Sequence, residues 1–139
     1  MFGWFKKEAE LHVFESNLAA FEYACEHLEN RPLLEAVIPA MVEEKGKVGD
    51  EGEQYFRLRL AGKGGGRELW ACTLKEATDY PEVGDLVGFK VVKVASDLPE
   101  EANIIGFIAF TLEPVLAEKK GWRIAKSYVP QNIRPTVRF

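Results

Sequence analysis

Tyr55, Arg57 and Arg59 stand at alternate positions in the segment Tyr55-Phe56-Arg57-Leu58-Arg59-Leu60, and no other residues in the chain come as near to a binding site by type and spacing. A two-residue period puts all three on one face of a β-strand and Phe56, Leu58 and Leu60 on the other. A phenol ring and two guanidinium groups on one face can stack on nucleobases and pair with phosphates. The same charges suit ion pairs with acids on an adjacent strand, and that is the plainer expectation. Lys63 and Arg67, in and just after the glycine-rich segment that follows, complete the candidate binding set.

Catalytic chemistry finds less to work with. Cys25 falls within an apolar helical stripe, where a thiol behaves as a small hydrophobe with no cation beside it to lower its pKa. His27 is two residues on, and a two-residue step on a helix turns the side chains roughly 200° apart, so the two make no dyad. Asp79, Tyr80, Asp85 and His12 are the set that an enzyme would have to assemble through its fold. Metal-ligand spacing is absent: there is no His-x-x-x-His or Cys-x-x-Cys, and Asp50-Glu51-Gly52-Glu53 lacks the order of a calcium loop. Gly62-Lys63-Gly64-Gly65-Gly66 is not a phosphate loop, because it joins two strands and lacks the Gly-Lys-Ser/Thr ending. The expectation is therefore no catalytic residues, no metal and no cofactor.

The elements that would hold these residues follow from periodicity. Ser16 or Asn17 can cap a helix running to about Asn30, whose stripe is Leu18, Phe21, Cys25 and Leu28. Arg31-Pro32 ends it. Residues 36–42 form an apolar strand in which Pro39, lacking a donor, favours an edge or bulged position. Residues 45–52 read as a loop, 55–60 and 69–74 as a hairpin around the glycines, and 86–94 and 104–112 as two long strands. Residues 122–129 supply a last short strand. Helices do not alternate with strands, so an antiparallel sheet is expected rather than a parallel one.

Within residues 104–112, strict alternation would set Ile104, Ile108, Phe110 and Leu112 on one face, in the core. Ile105, Phe107 and Ala109 would lie on the other, under the helix or under a second copy of the chain. Ile105 and Phe107 are thus the candidate interface residues.

These readings define an α+β, mainly β fold: a small antiparallel β-barrel or strongly curled sheet, OB-like or SH3-like, with an N-terminal amphipathic helix packed against it. One domain spans residues 1–139, comprising an N-terminal segment (1–10), the helix (16–30), the β-barrel region (35–129) and an extended tail (130–139). With 139 residues, 47% of them hydrophobic and 29% charged, the chain is large enough to bury a core without disulfide staples. Two distant cysteines and the lack of an apolar run of membrane-spanning length point to the cytoplasm.

The net charge of −4 hides a polarity, with twelve acids against three bases between Glu8 and Glu53 and a run of bases after Glu118. Residues 1–7, with Phe2, Trp4, Phe5, Lys6 and Lys7, suit packing on the domain or on a neighbouring subunit, or weak peripheral contact with a membrane. The expected function is a non-enzymatic interaction module that binds a protein partner or itself. Single-stranded nucleic-acid binding through the Tyr55 face is the second reading.

Overall fold

The computed structural model describes residues 11–27, 36–74, 77, 79–95, 103–118 and 120–129. Seven strands and one helix occupy them: β1 (Leu11–Val13), α1 (Asn17–Glu26), β2 (Val37–Val48), β3 (Gln54–Leu60), β4 (Arg67–Cys72), β5 (Leu86–Ala95), β6 (Asn103–Ala117) and β7 (Gly121–Ser127). All strand ladders are antiparallel, in the order β1-β6-β5-β2-β3-β4, with β7 also paired to β6. The ladders alone leave this sheet open. At its end Thr73, just past β4, makes a single parallel bridge to Ile108 of β6. Residues 1–10, residues 28–35 with Leu28, and the tail 130–139 lie outside the described residues.

Side-chain alternation builds the core. Ile38, Ala40 and Val42 of β2, Phe56, Leu58 and Leu60 of β3, Ala71 of β4, Val87, Phe89 and Val91 of β5, and Ile108 of β6 share the inner face of the sheet and are all buried. Each large apolar side chain removed from water in this way contributes about 1.5–3 kcal/mol. Curling of the sheet lets one face cover itself.

β2 runs to Val48, six residues beyond the expected strand, and carries bulges between Val42 and Glu44 and between Lys45 and Val48. It is also an interior strand, between β3 and β5, so Pro39 is not at an edge. Its position is tolerated because the missing donor faces β3 beyond Leu60, where the ladder ends and only the Pro39 carbonyl is used, accepting from Ala61 N at 2.8 Å.

The turn between β3 and β4 is a 3₁₀ turn at Lys63–Gly65. Gly66 closes it with φ +103°, where a Cβ would lie 2.4 Å from the Leu60 carbonyl and 3.2 Å from Phe21 Cζ, so only glycine fits.

Ser16 caps α1 as expected, its Oγ accepting from Ala19 N at 3.1 Å. The helix ends at Glu26, and its buried face differs from the expected stripe: Ala20, Phe21 and Ala24 are buried, Cys25 is half-buried and Leu18 is 55% exposed. Two alanines let the helix backbone approach the outer face of the sheet closely, where it packs on β2, β5 and β6. Asn17 Nδ2 ties its first turn to the Gly84 carbonyl at 3.0 Å.

β6 departs from strict alternation. Gly88 pairs with Phe110 but Phe89 pairs with Ile108, so Ala109 is an extra, bulged residue. Gly88 and Phe89 point to opposite faces, and therefore so do Phe110 and Ile108. Ile108 enters the inner core, whereas Phe110 and Leu112 lie on the outer face with Leu86, Gly88 and Val37, the side on which α1 sits. The expected grouping of Ile104, Ile108, Phe110 and Leu112 on one face is thus divided by the bulge. β6 also continues to Ala117, where β1 and β7 flank it on its two edges.

Candidate functional site: the outer face of β3 and β4

Register across the glycine hairpin pairs Tyr55 with Cys72, Arg57 with Trp70 and Arg59 with Glu68. On the other side of β3, Arg57 faces Glu44 and Arg59 faces Met41, with Glu43 bulged between the two rows. The structure therefore brings Tyr55, Arg57 and Arg59 onto one outer face.

The acids of the neighbouring strands neutralise both arginines. Arg57 pairs with Glu44 at 3.4 Å. Arg59 holds two carboxylates, Glu43 at 3.3 Å and Glu68 at 2.6 Å. Arg57 Nε and Glu43 Oε1 are buried without hydrogen-bond partners among the described residues.

Trp70 is the largest side chain on this face and is 52% exposed. Its ring lies on Gly46 of β2, where a Cβ would stand 2.3 Å from Trp70 Cζ3, so the glycine makes the seat for the indole. Tyr55 and Cys72 stand opposite each other at the far end of the face. Burial pushes the Cys72 thiol above its usual range, and the Glu53 carboxylate adds to the shift. This is the opposite of an activated nucleophile.

The other expected site residues scatter. Lys63 is exposed in the 3₁₀ turn. Arg67 pairs with Leu60, on the face opposite Arg59, so it stands apart from the Tyr55 row. Ile105 is 50% exposed beside the bulged Val92, which is 49% exposed, and Phe107 is half-buried opposite Lys90. In the basic C-terminal part, Arg123 pairs with Glu113 at 3.6 Å and Lys126 with Asp79 at 2.5 Å.

Asp79 and Asp85 each accept a backbone bond in the segment before β5, from Tyr80 N and Glu82 N. His12 is stacked on Phe14 with ring centroids 4.1 Å apart and meets Tyr23 edge-on. Among the described residues no three His, Cys, Asp or Glu side chains cluster as metal ligands would.

Sequence reasoning missed Trp70, Glu43, Glu44 and Glu68 as parts of this face. The signal for two of them was present: alternation in Arg67–Cys72, folded back by the glycines, sets Glu68 and Trp70 opposite Arg59 and Arg57. The contribution of β2 was hidden by its bulge.

The chain matches no protein-family model, no curated protein and no solved structure. No helix among the described residues is long and apolar enough to cross a membrane.

Proposed function

We propose that this chain is a non-enzymatic interaction module which uses the outer face of β3 and β4 to bind a protein partner or a second copy of itself. The observation that carries this reading is the setting of Trp70: a half-exposed indole, seated on backbone, among Tyr55 and two arginines whose charges are already balanced by Glu43, Glu44 and Glu68. Trp, Tyr and Arg are the residue types that concentrate binding energy in protein interfaces, and a face with three carboxylates against two guanidiniums favours a protein over a polyanion. Ile105 and Val92 provide a smaller apolar surface for the same purpose.

Trp70→Glu tests this reading, since the side chain is exposed enough for the fold to survive. The wild type should show a mass above 15.7 kDa by light scattering, or retain proteins on an affinity column, and the variant should lose either behaviour while keeping its circular dichroism. A wild type that is monomeric throughout and retains the same proteins as the variant overturns the proposal.

The finer architecture is an OB-like barrel. Its support is the order β2-β3-β4-β6-β5 returning to β2, with β4 and β6 meeting in parallel at Thr73 and Ile108. Such barrels bind oligonucleotides on the face that corresponds to β3 and β4, which keeps single-stranded nucleic acid as a second reading, with Tyr55 and Trp70 as stacking rings. Fluorescence anisotropy with short DNA and RNA at low salt decides it, because counterion release is most favourable there. Absence of binding under those conditions removes the reading.

A further inference from the structure

β4 and β6 meet in parallel at Thr73 and Ile108, and on the N-terminal side of that bridge the pairs of a continued ladder do not form among the described residues. Two hydrogen bonds fix where the backbone groups beside this seam point. Ala61 N donates to Pro39 O at 2.8 Å, so alternate residues of β3 turn to β2 and those between, Leu58 among them, turn to β4. Leu58 therefore bonds to Leu69, and Glu68 and Trp70 present N–H and C=O at the open edge of β4. Val91 N donates to Ala36 O at 2.8 Å, which turns Val91 and Phe89 toward β2 and away from β6. Their partners Gly106 and Ile108 accordingly direct their backbone groups away from β5, and so does Ile104, two residues earlier. Among the described residues the backbone groups of Glu68 and Trp70, and of Ile104 and Gly106, have no hydrogen-bond partner on the sides that border the seam.

The side chains along the seam are apolar on both faces. Leu69 lies on the inner face with its partner Leu58. Ile104 lies there too, two residues from Gly106, whose Cβ position would be 2.8 Å from Phe89 Cζ in the core. Leu69 and Ile104 are nevertheless only half-buried, whereas Leu58, Phe89 and Ile108 on the same face are fully buried. On the outer face, three residues back from the bridge on each strand, stand the half-exposed Trp70 and Ile105.

We propose that the seam receives an extended segment of a partner protein as an added strand, antiparallel to both β4 and β6. The two strands run in the same direction at the bridge, so one strand laid against both makes antiparallel ladders like every other ladder in the sheet. The occupant must have both of its own edges free. Every strand of this chain is already laddered on at least one edge, so a folded second copy has none to insert. A segment with no fold of its own does. It is apolar at successive positions, because residues turned inward meet Leu69 and Ile104 and those turned outward meet Trp70 and Ile105. The proposal rests on the reading of the chain as a protein-binding module, and it makes the partner an extended segment rather than a folded surface.

The test is fluorescence anisotropy of the full chain with a labelled peptide of alternating valine and isoleucine, flanked by lysines for solubility, and with two N-methylated forms of it. Successive N–H groups of a strand point to opposite edges, so methylation at odd positions strips one edge and methylation at even positions strips the other. The parent peptide should bind saturably and slow hydrogen exchange at the Trp70 and Gly106 amides, and each methylated form should bind about ten-fold or more weakly. Glu68→Pro removes an edge N–H that β3 does not use, and should weaken the parent peptide about ten-fold with the circular dichroism unchanged. Glu68→Ala keeps that N–H and should leave the affinity within about three-fold. No binding of the parent peptide up to ~1 mM, equal binding of either methylated form, or unweakened binding by a folded Glu68→Pro chain overturns the proposal. A chain that retains partners through Trp70 yet ignores the peptide fails the seam alone. One that binds the peptide as expected, while Trp70→Glu alters no protein capture or mass, supports the seam and fails the outer-face interface alone.

Discussion

The Cys72 thiol and the Tyr55 phenol, paired across β3 and β4, both hold their protons more tightly than free side chains do. For Cys72 the first cause is burial; for Tyr55 it is negative charge on Cys72, followed by burial and Glu53. A raised folded-state pKa contributes stability that is complete below the unfolded value and is lost as pH rises toward the folded one. The urea midpoint should therefore hold steady below about pH 8 and fall as pH climbs through the ordinary thiol and phenol values of about 8.5 and 10. Cys72→Ala should flatten the first part of that fall and lower the titration midpoint of Tyr55, read from phenolate absorbance. An unchanged Tyr55 midpoint would mean that the two side chains do not interact. The face carrying Tyr55, Arg57 and Arg59 was legible in sequence because alternation needs only local residues. Pairing of its arginines with acids on an adjacent strand was the plainer expectation, but Glu43 and Glu44 were not legible as those acids, since they reach the face through a register set by a bulge.

Among the elements, α1 shows what periodicity cannot supply. The three- and four-residue steps of Leu18, Phe21, Cys25 and Leu28 describe a stripe of large apolar residues, but the helix seats itself through Ala20, Phe21 and Ala24. Small side chains were overlooked because hydrophobicity scales weigh size, whereas a helix lying tight on a sheet needs its absence. Ala20→Leu should therefore overpack the contact and lower stability by about 1–3 kcal/mol, while Leu18→Ala should change it by less than about 0.5 kcal/mol. Urea unfolding of both variants checks the contrast, and a larger loss for Leu18→Ala would place the helix wrongly. Six of the seven strands were read from the sequence and β1 was missed, and the faces were assigned by a period of two that fails at the first extra residue. Ala109 is that residue in β6, and nothing in Ile108-Ala109-Phe110 marks it as bulged.

For the molecule as a whole, the ladders rank the strands by how much holds them. β2 and β5 each have a partner on both sides and carry buried residues along their shared ladder, whereas β1 is exposed throughout and β7 is exposed from Arg123 to Ser127. Hydrogen exchange should accordingly be slowest at Ile38, Ala40, Val87 and Phe89, near the rate set by global unfolding, and fastest among the strands at β1 and β7. Equal protection across β1, β2 and β7 would contradict this ranking. The mainly β class and the antiparallel pairing were readable from strand patterns separated by turns. The pairing of β2 with β5 was not, because Val37–Met41 and Leu86–Lys90 are brought together only by the fold.

That distant pairing bears on synthesis. β2 leaves the ribosome well before β5, and at about 5–20 residues per second its apolar stretch waits for seconds before its partner exists. During that interval a strand rich in Val and Ile is a template for pairing with other chains. Pro39 stands in the middle of the stretch and offers no amide to such a partner. In the finished fold the missing donor falls harmlessly past the end of the β3 ladder. On the nascent chain, the same absence takes one donor from the edge of β2 that later receives β3.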